Sequence, residues 1–322
     1  MSILKLIAPC KDYLWGGNRL REEYGKKLDS DKIAESWELS CHKDGQSVIE
    51  GGEFDGKTLS EFIDAKGKTA VLGTNCDRFE YFPILIKLID AKDNLSVQVH
   101  PSNEYALKVE GEYGKTEMWY IVDCNEGAEL IYGFKHEISK EEFADRIKNN
   151  TLLEVTNNVP VHKGDVFFIE SGTLHAIGKG ILIAEIQQNS NTTYRVYDYG
   201  RVGKDGKPRQ LHIDKALDVT NRIPPKYPTT AQGKPEKVEG GVKTLLRSCE
   251  YFNVNELKID GTMTLNADSK SFKSLLFLDG TAEISCADGK QTAVKGNSFF
   301  VPAGTGEFTV SGKCEVILSD IV

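Results

Sequence analysis

The chain has 322 residues, of which 39% are apolar and 27% are charged, and its formal net charge is −8. This length allows one large or two ordinary domains with buried cores, and the composition is typical of a water-soluble globular protein. The negative charge, with no run of five basic residues, argues against nucleic acid or an anionic membrane as a partner. A small anion stays compatible, because a phosphate needs only a few well-placed cations or N–H groups.

Cysteine usage and hydropathy predict the compartment. The seven cysteines are an odd number, and none lies within four residues of another, which excludes C-x-x-C metal and redox motifs. The apolar stretch at 1–7 is too short for a signal peptide, and the sequence has no apolar run of about 18 residues. We therefore expect a cytoplasmic protein in a reducing compartment.

Short strands separated by glycine, asparagine and aspartate dominate the first part of the chain. Apolar patterns predict strands at 83–89, 95–100, 118–122, 165–170, 181–187 and 194–199. Helical spacing predicts helices at 60–72, 102–110 and 211–219, and another after a capping box at 139–142. In the strand at 95–100, Ser96, Gln98 and His100 share one face, because successive side chains alternate between faces.

A change in composition predicts the domain boundary. Residues 224–239 contain four prolines with several lysines, threonines and glycines, as a linker does. Beyond them, strands alternate with Asp-Gly and Ser-Gly turns, a pattern typical of a small β-sandwich or barrel. We expect a domain with helical insertions at 1–223, a linker at 224–242 and a small barrel at 243–322.

An internal repeat predicts the architecture. Residues 163–175 align with 295–307 without gaps, and six of the thirteen positions are identical. The pattern resembles the second signature of the cupins, which are jelly-roll barrels. We therefore expect a mainly β protein of two cupin-like jelly-roll barrels, the first with helical insertions. Because the first copy has His175 where the second has Glu307, only the first barrel is expected to hold a metal.

The candidate metal ligands are Gln98, His100, Glu117 and His175. A strand presents residues i and i+2 on one face, which fits Gln98 and His100. Glu117 begins the next predicted strand, and His175 follows a turn. Two imidazoles and a carboxylate suit zinc, iron(II) or manganese, whereas an amide oxygen is a weaker ligand. Gln98 has the alternative of hydrogen-bonding a ligand from outside the coordination shell.

The spacing of these ligands departs from the usual cupin pattern. Cupins usually place the glutamate only a few residues after the histidine pair, whereas sixteen residues separate His100 from Glu117. The intervening 101–115 is predicted to be an inserted helix and loop. This insertion disfavours a generic cupin oxygenase.

Six motifs carry a resemblance to a known family. They lie at 13–20, 34–42, 95–101, 114–120, 172–176 and 185–198, and with them the chain resembles the type I phosphomannose isomerases (mannose-6-phosphate isomerases) in their short bacterial form. The resemblance implies interconversion of mannose 6-phosphate and fructose 6-phosphate with one zinc per chain. It also implies that Gln98, His100, Glu117 and His175 bind this zinc and that Arg195 is catalytic.

This chemistry constrains the remaining roles. Aldose–ketose isomerisation moves a proton between C2 and C1 through a cis-enediol, and it needs a base, an electrophile and a group that handles the hydroxyl proton. Arg195 is permanently charged, so it suits stabilising an enediolate and not proton abstraction. Glu185, on the same predicted strand face as Gln187, is the candidate base; its alternative is a carboxylate that balances Arg195.

Two lysines are candidates for binding the substrate phosphate. Lys87 lies in an apolar run, where a lysine needs a buried partner or a ligand, and Lys115 lies two residues from Glu117. Both have the alternative of being solvated or ion-paired. Trp15 is expected to pack in the core or to wall the pocket, and Glu35 to be a second acid near the site or a surface charge.

Two other functions remain open from the residues alone. One is an iron(II)-dependent cupin oxygenase that uses two histidines and a glutamate, and the other is a non-catalytic sugar-phosphate-binding cupin. Retention of Arg195 together with all four metal positions disfavours the second. In each case the expected partner is a small molecule, a phosphorylated hexose in the favoured reading, and the chain is a monomer or homodimer.

Overall fold

The computed structural model describes residues 1–203 and 206–322. The strands are β1 (Leu4–Ile7), β2 (Cys10–Lys11), β3 (Glu35–Leu39), β4 (Cys41–His42), β5 (Gly45–Gln46), β6 (Val48–Glu50), β7 (Ile84–Ala91), β8 (Val97–Val99), β9 (Glu117–Cys124), β10 (Glu129–Phe134), β11 (Thr156–Pro160), β12 (Val166–Ile169), β13 (His175–Ala176), β14 (Ile181–Gln188), β15 (Tyr194–Tyr197), β16 (Glu236–Val238), β17 (Gly241–Ser248), β18 (Asn253–Ala267), β19 (Lys273–Cys286), β20 (Gly289–Val294), β21 (Ser298–Val301) and β22 (Gly306–Asp320). The α-helices are α1 (Arg19–Glu22), α2 (Leu59–Lys66), α3 (Lys68–Leu72), α4 (Asn103–Val109), α5 (Lys140–Lys148) and α6 (Ile213–Val219). Short 3₁₀ helices cover Thr74–Cys76 and Leu152–Glu154.

The prediction of a mainly β chain is confirmed. One helix differs from its prediction: the segment at 60–72 forms α2 and α3, because Gly67 between them has φ of 91°, which no helix can continue through. Within the described ranges, the structure has no helix that combines the length and apolarity needed to cross a membrane.

Two antiparallel sheets form the first part of the chain. One has the strand order β12-β9-β14-β7-β3-β2, and the other has the order β11-β10-β13-β8-β15. A cluster that includes Trp119 and Ile183 from the first sheet and Tyr132 from the second fills the space between them. Helices α2 and α3 pack on the outer face of the first sheet, and α5 and α6 on that of the second. The inner faces are therefore enclosed from both sides.

Strand alternation decides which polar side chains enter this enclosed space. Every residue of β14 is buried, and Ala184 and Ile186 belong to the outer cluster. Glu185 and Gln187 therefore point between the two sheets. In β8, Val97 and Val99 pack outward, so Gln98 points inward.

A third, larger sheet contains most of the C-terminal part. Its order is β16-β17-β18-β22-β19-β21-β1-β6, with β20 paired to β19. Strands β1 and β6 come from the N-terminal part, and β16 comes from the expected linker at 224–242. Membership of this sheet therefore crosses the expected boundaries, and the division at 1–223, 224–242 and 243–322 stays a proposal.

The internal repeat has the same local structure in both copies. Strands β12 and β21 occupy equivalent positions of the aligned segments, and each is preceded by a glycine with positive φ, Gly164 at 91° and Gly296 at 85°. The two copies differ at their last position, where His175 is fully buried and the equivalent Glu307 is exposed.

Candidate active site

Strand register brings the polar side chains of the two inner faces together. In the five-stranded sheet, Gln98 lies opposite His175 on one side and opposite Arg195 on the other. In the six-stranded sheet, Glu185 lies opposite Lys87, and Gln187 lies opposite Glu117. Residues far apart in sequence thus form two facing rows of polar groups.

His100, Glu117 and His175 form a buried group that can hold a metal ion. Their potential ligand atoms all lie within 4.8 Å of one another. The Nε2 atoms of the two histidines are 3.2 Å apart. Glu117 places Oε1 3.3 Å from Nε2 of His100 and Oε2 3.8 Å from Nε2 of His175.

Backbone carbonyls orient both imidazoles toward this point. Nδ1 of His100 lies 2.9 Å from the carbonyl oxygen of Thr192, and Nδ1 of His175 lies 2.8 Å from that of Thr173. A carbonyl only accepts, so Nδ1 carries the proton in each ring and Nε2 presents a lone pair. This is the arrangement that metal-binding histidines show in proteins.

The distances within the group fit a tetrahedral ion. Ligand atoms at about 2.0–2.2 Å from zinc lie about 3.3–3.6 Å from one another, close to the separations among His100, Glu117 and His175. Within the described residues, neither Glu117 oxygen has a hydrogen-bond partner of good geometry, although both are buried. Two imidazole acceptors and an acceptor-only carboxylate therefore converge on one point, which is a donor set that suits a metal cation.

Lys115 lies against this group. Its Nζ is 2.6 Å from Oε1 of Glu117 and 3.3 Å from Nε2 of His100. Burial raises the pKa of Glu117, but the charge of Lys115 and the two imidazoles outweigh it and hold that pKa well below its ordinary value. Burial, followed by repulsion from Lys115, lowers the pKa of His100 to about 3. The carboxylate is therefore charged and the imidazole neutral, which are the forms that bind metals.

Gln98 borders the group. Its Nε2 lies 3.4 Å from Nε2 of His175, and its Oε1 accepts a hydrogen bond of 3.3 Å from Ser96 Oγ. Rotation of the amide by 180° exchanges the two atoms and turns the oxygen toward His175. The Ser96 hydroxyl tolerates this rotation, because it donates or accepts equally well.

A second buried cluster lies on the opposite row. Lys87 Nζ is 3.2 Å from Glu185 Oε1 and 3.6 Å from Glu35 Oε2. Each carboxylate also accepts a hydrogen bond from an indole N–H. Trp119 donates to Glu185 at 2.8 Å, and Trp37 donates to Glu35 at 2.7 Å. The ion pairs satisfy the buried ammonium of Lys87, as the apolar run around it requires.

The pKa values of Glu185 and Lys87 in the second cluster are raised, whereas those of Glu117 and His100 in the first are lowered. Burial is the main cause that raises the pKa of Glu185, and repulsion from Glu117 is the second. Burial would lower the pKa of Lys87, but attraction to Glu35 and Glu185 outweighs it and raises that pKa. Glu185 is thus a carboxylate with raised proton affinity beside the metal-capable group, a combination found at catalytic sites.

A cavity of about 290 Å³ opens beside both clusters, near the small end of the range for ligand pockets. Its lining includes Tyr13, Trp15, Glu35, Lys87, Gln98, Lys115, Glu185, Arg195 and Arg209. Arg195 donates to Ser96 Oγ at 3.2 Å and to the Gln210 carbonyl at 2.9 Å, which leaves further N–H donors on its guanidinium. Burial is the main cause that lowers the pKa of Arg195, and repulsion from Arg209 adds to it, while the nearby Asp198 acts in the opposite direction.

Sequence reasoning missed several residues of this cavity, Arg209 and Ser96 among them. Arg209 lies in an irregular segment after β15, and its Nε donates to Asp198 Oδ2 at 2.7 Å. No motif in the sequence identifies this arginine. Ser96 links Arg195 to Gln98, and its place on the strand face of Gln98 was the signal available. Trp15 is both buried in the core and part of the cavity wall, and Glu35 is buried and not a surface charge.

The fold and site define a class of mainly β protein in which a buried His-Glu-His group lies beside a cavity whose lysines and arginines can bind an anion. The family model for the catalytic domain of type I phosphomannose isomerase matches residues 3–138, and that for the cupin domain of mannose-6-phosphate isomerase matches 241–321. Mannose-6-phosphate isomerase ManA of Bacillus subtilis is 39% identical over 312 residues, covering 97% of this chain and 96% of that protein. The Streptococcus mutans mannose-6-phosphate isomerase is 38% identical over 306 residues, covering 95% and 94%.

Solved structures agree with the sequence comparison. The crystal structure of mannose 6-phosphate isomerase from Bacillus subtilis superposes with a TM-score of 0.91 at 35% identity, covering 99% of each chain. A putative mannosephosphate isomerase from Archaeoglobus fulgidus, at 23% identity and a TM-score of 0.77, shares the fold. This chain belongs to the type I phosphomannose isomerase family.

Proposed function

We propose that this chain is a zinc-dependent aldose–ketose isomerase that interconverts mannose 6-phosphate and fructose 6-phosphate. The observation that carries the proposal is the buried His100–Glu117–His175 group beside a cavity lined by Glu185 and Arg195. The names of the relatives, which are mannose-6-phosphate isomerases, support the substrate.

His100, Glu117 and His175 would hold the ion, with Gln98 as the fourth ligand through its amide oxygen. When bound, zinc supplies Lewis acidity toward the carbonyl of the substrate without redox change. Catalytic zinc sites keep or gain a position for the substrate beside their protein ligands. One ion per chain is expected, because the equivalent position of the second repeat has the exposed Glu307.

Glu185 would carry the proton between C2 and C1 of the sugar. It lines the cavity, Trp119 donates to its Oε2, and its Oε1 faces the ammonium of Lys87 at 3.2 Å. Its raised pKa makes it a better base than an exposed carboxylate. The intermediate would be a cis-enediol, and Arg195 would stabilise the negative charge of its enediolate form.

The positive charges divide between the two ends of the cavity. The ammonium of Lys115 is committed to Glu117 and that of Lys87 to Glu185 and Glu35. We therefore assign Lys115 and Lys87 to the sugar end of the substrate, beside the metal and the base. Arg195, which keeps further N–H donors, would bind the phosphate, because guanidinium groups pair with phosphate oxygens through two parallel hydrogen bonds. Arg209, which Asp198 holds in place, would add positive charge beside it.

The architecture supports a related proposal. Two cupin-like jelly-roll barrels would share the repeated segment around β12 and β21, with the metal only in the first. The domains would be 1–223 and 243–322, joined by 224–242. The enzyme would act in the cytoplasm on a small phosphorylated hexose, as a monomer or homodimer.

One experiment separates this function from the alternatives. Metal-loaded protein is incubated with mannose 6-phosphate while fructose 6-phosphate and dissolved oxygen are both measured. The isomerase forms fructose 6-phosphate at constant oxygen. An iron(II) oxygenase consumes oxygen and is inactive with zinc, and a non-catalytic binder yields neither change.

A further inference from the structure

We propose that Glu112 is a positioning residue for the metal centre, acting through Thr192 on His100. The proposal rests on the metal site of the proposed function. Glu112 belongs to the insertion at 101–115 that separates His100 from Glu117, and it is a member neither of the metal-capable group nor of the cavity lining.

The insertion is closed on itself, so its end has a fixed position. The N–H of Lys115 donates to the carbonyl of Pro101 at 3.0 Å, and that of Gly114 donates to Asn103 Oδ1 at 2.8 Å. A Cβ on Gly114 would lie 2.4 Å from the backbone of Ser102 and Asn103, which shows how closely the two ends approach. These contacts fix the position of the chain immediately after Glu112.

A chain of contacts leads from Glu112 to the metal-capable group. The hydroxyl of Thr192 donates to Glu112 Oε2 at 3.3 Å, and the carbonyl of the same residue accepts from Nδ1 of His100 at 2.9 Å. Fixing the Thr192 side chain thus fixes the carbonyl that orients the imidazole. Groups that orient a metal-binding histidine in this way tune its affinity for the ion.

Glu112 is itself anchored on its other oxygen. Oε1 lies 2.6 Å from Nζ of Lys43 and 3.7 Å from Nε2 of His42. Its side chain is only 20% exposed, whereas that of Lys43 is 73% exposed. The carboxylate is therefore held between a surface cation and the Thr192 hydroxyl, as a positioning group requires.

Glu110, a second acid of the insertion, contacts Tyr194, which lies two residues after Thr192. Glu110 Oε1 accepts from the hydroxyl of Tyr194 at 2.8 Å and pairs with Lys215. Glu110 and Glu112 therefore clamp the segment on both sides of residue 193, immediately before Arg195. Both acids come from the connection between β8 and β9, which lie in different sheets, so a shorter connection would place no such groups here.

Zinc affinity tests the proposal without reference to catalysis. Zinc dissociation constants are measured by competition with a chromophoric chelator for the wild type, Glu112→Ala, Thr192→Val and the double variant. Each single variant is expected to bind zinc about tenfold more weakly, which is the lower end of the effect for groups that orient a ligand. The double variant should be no weaker than the weaker single, because both break one chain of contacts.

Two further variants separate positioning from general stability. Glu112→Gln keeps an acceptor oxygen for the Thr192 hydroxyl, so it should recover most of the affinity. Glu154→Gln, an exposed carboxylate paired with Arg146 at 3.2 Å, is the matched control and should bind zinc as the wild type does. The melting temperature of each metal-free variant is recorded; if Glu112→Ala does not fold, Thr192→Val carries the test alone.

The outcomes are distinct from those for the proposed function. Zinc affinity within twofold of the wild type in a folded Glu112→Ala or Thr192→Val, or fully additive losses in the double variant, overturns the positioning role. Absence of isomerase activity in a wild type that binds zinc would overturn only the function. A wild type that binds no zinc overturns both.

Discussion

The Nε2 atoms of His100 and His175 face each other at 3.2 Å while both Nδ1–H groups donate to backbone carbonyls. Two acceptors at this distance attract a shared cation, so replacing one should empty the site. We expect His175→Ala to bind at most about one hundredth of the zinc retained by the wild type at equal free metal, measured by elemental analysis after dialysis. His162→Ala, at a side chain 81% exposed, is the control; full zinc retention in His175→Ala would refute the assignment.

Arg195 should contribute to turnover and not to metal retention. Its guanidinium donates to Ser96 Oγ and to the Gln210 carbonyl and is not part of the metal-capable group, so Arg195→Ala should keep one zinc per chain. Loss of a group that stabilises developing negative charge costs about 10²–10³ in kcat, and Arg195→Lys should recover only part of it because the guanidinium geometry is lost. Arg146→Ala, on the outer face of α5, is the control. Metal loss in Arg195→Ala would instead indicate a structural role.

The acid limb of the pH profile should report Glu185. A base acts deprotonated, so kcat/KM should rise with pH through a pKa that burial and Glu117 have raised above the ordinary glutamate value. Lys87 opposes this shift, so Lys87→Met should raise the pKa further and move the limb to higher pH. The profile is measured for both proteins between about pH 4 and 9.

Lys140→Met removes a lysine exposed to solvent and paired with Asp218 at 3.2 Å, and it should leave the limb in place. The zinc content and melting temperature of Lys87→Met are checked alongside, because two buried carboxylates lose their cation. A limb that stays in place or moves to lower pH in folded, zinc-loaded Lys87→Met would contradict the role of Glu185.

Tyr120 joins the six-stranded sheet to the larger C-terminal sheet. Its hydroxyl lies 2.6 Å from Oε1 of Glu256 and 2.8 Å from Oε1 of Glu315. Tyr120→Phe leaves two carboxylates facing a phenyl ring, which should lower the free energy of unfolding by about 1.5–3 kcal/mol. Urea denaturation measures this, with Tyr81→Phe at a half-exposed tyrosine as the control. Equal stability of the two variants would show that the contact contributes nothing.

Sequence patterns predicted the local features of this protein well, because those depend on alternation and turns. The alternation at 95–100 placed Gln98 and His100 on the inner face, and the apolar run around Lys87 indicated that this lysine needs a partner. The partners themselves, Glu35 and Glu185, depend on strand register between distant segments. Register follows from the packing of whole sheets, which no local pattern encodes.

The arrangement of the strands into sheets was harder to predict from the sequence for the same reason. A linker composition at 224–239 gave no sign that β16 lies inside it or that β1 and β6 pair into the C-terminal sheet. Arg209 reaches the cavity from an irregular segment, where neither alternation nor helical spacing predicts direction. Glu112 acts through Thr192, eighty residues away, and only the folded chain brings the two together.

Zinc titration of the isomerase reaction tests the central claim most directly. Protein freed of metal by chelation receives increasing zinc, and fructose 6-phosphate formed from mannose 6-phosphate is measured at each addition. A zinc-dependent isomerase with one site is inactive without metal, and its activity rises linearly to a break at one zinc per chain. Full activity in the chelated protein, or no fructose 6-phosphate at any zinc loading, would contradict the claim.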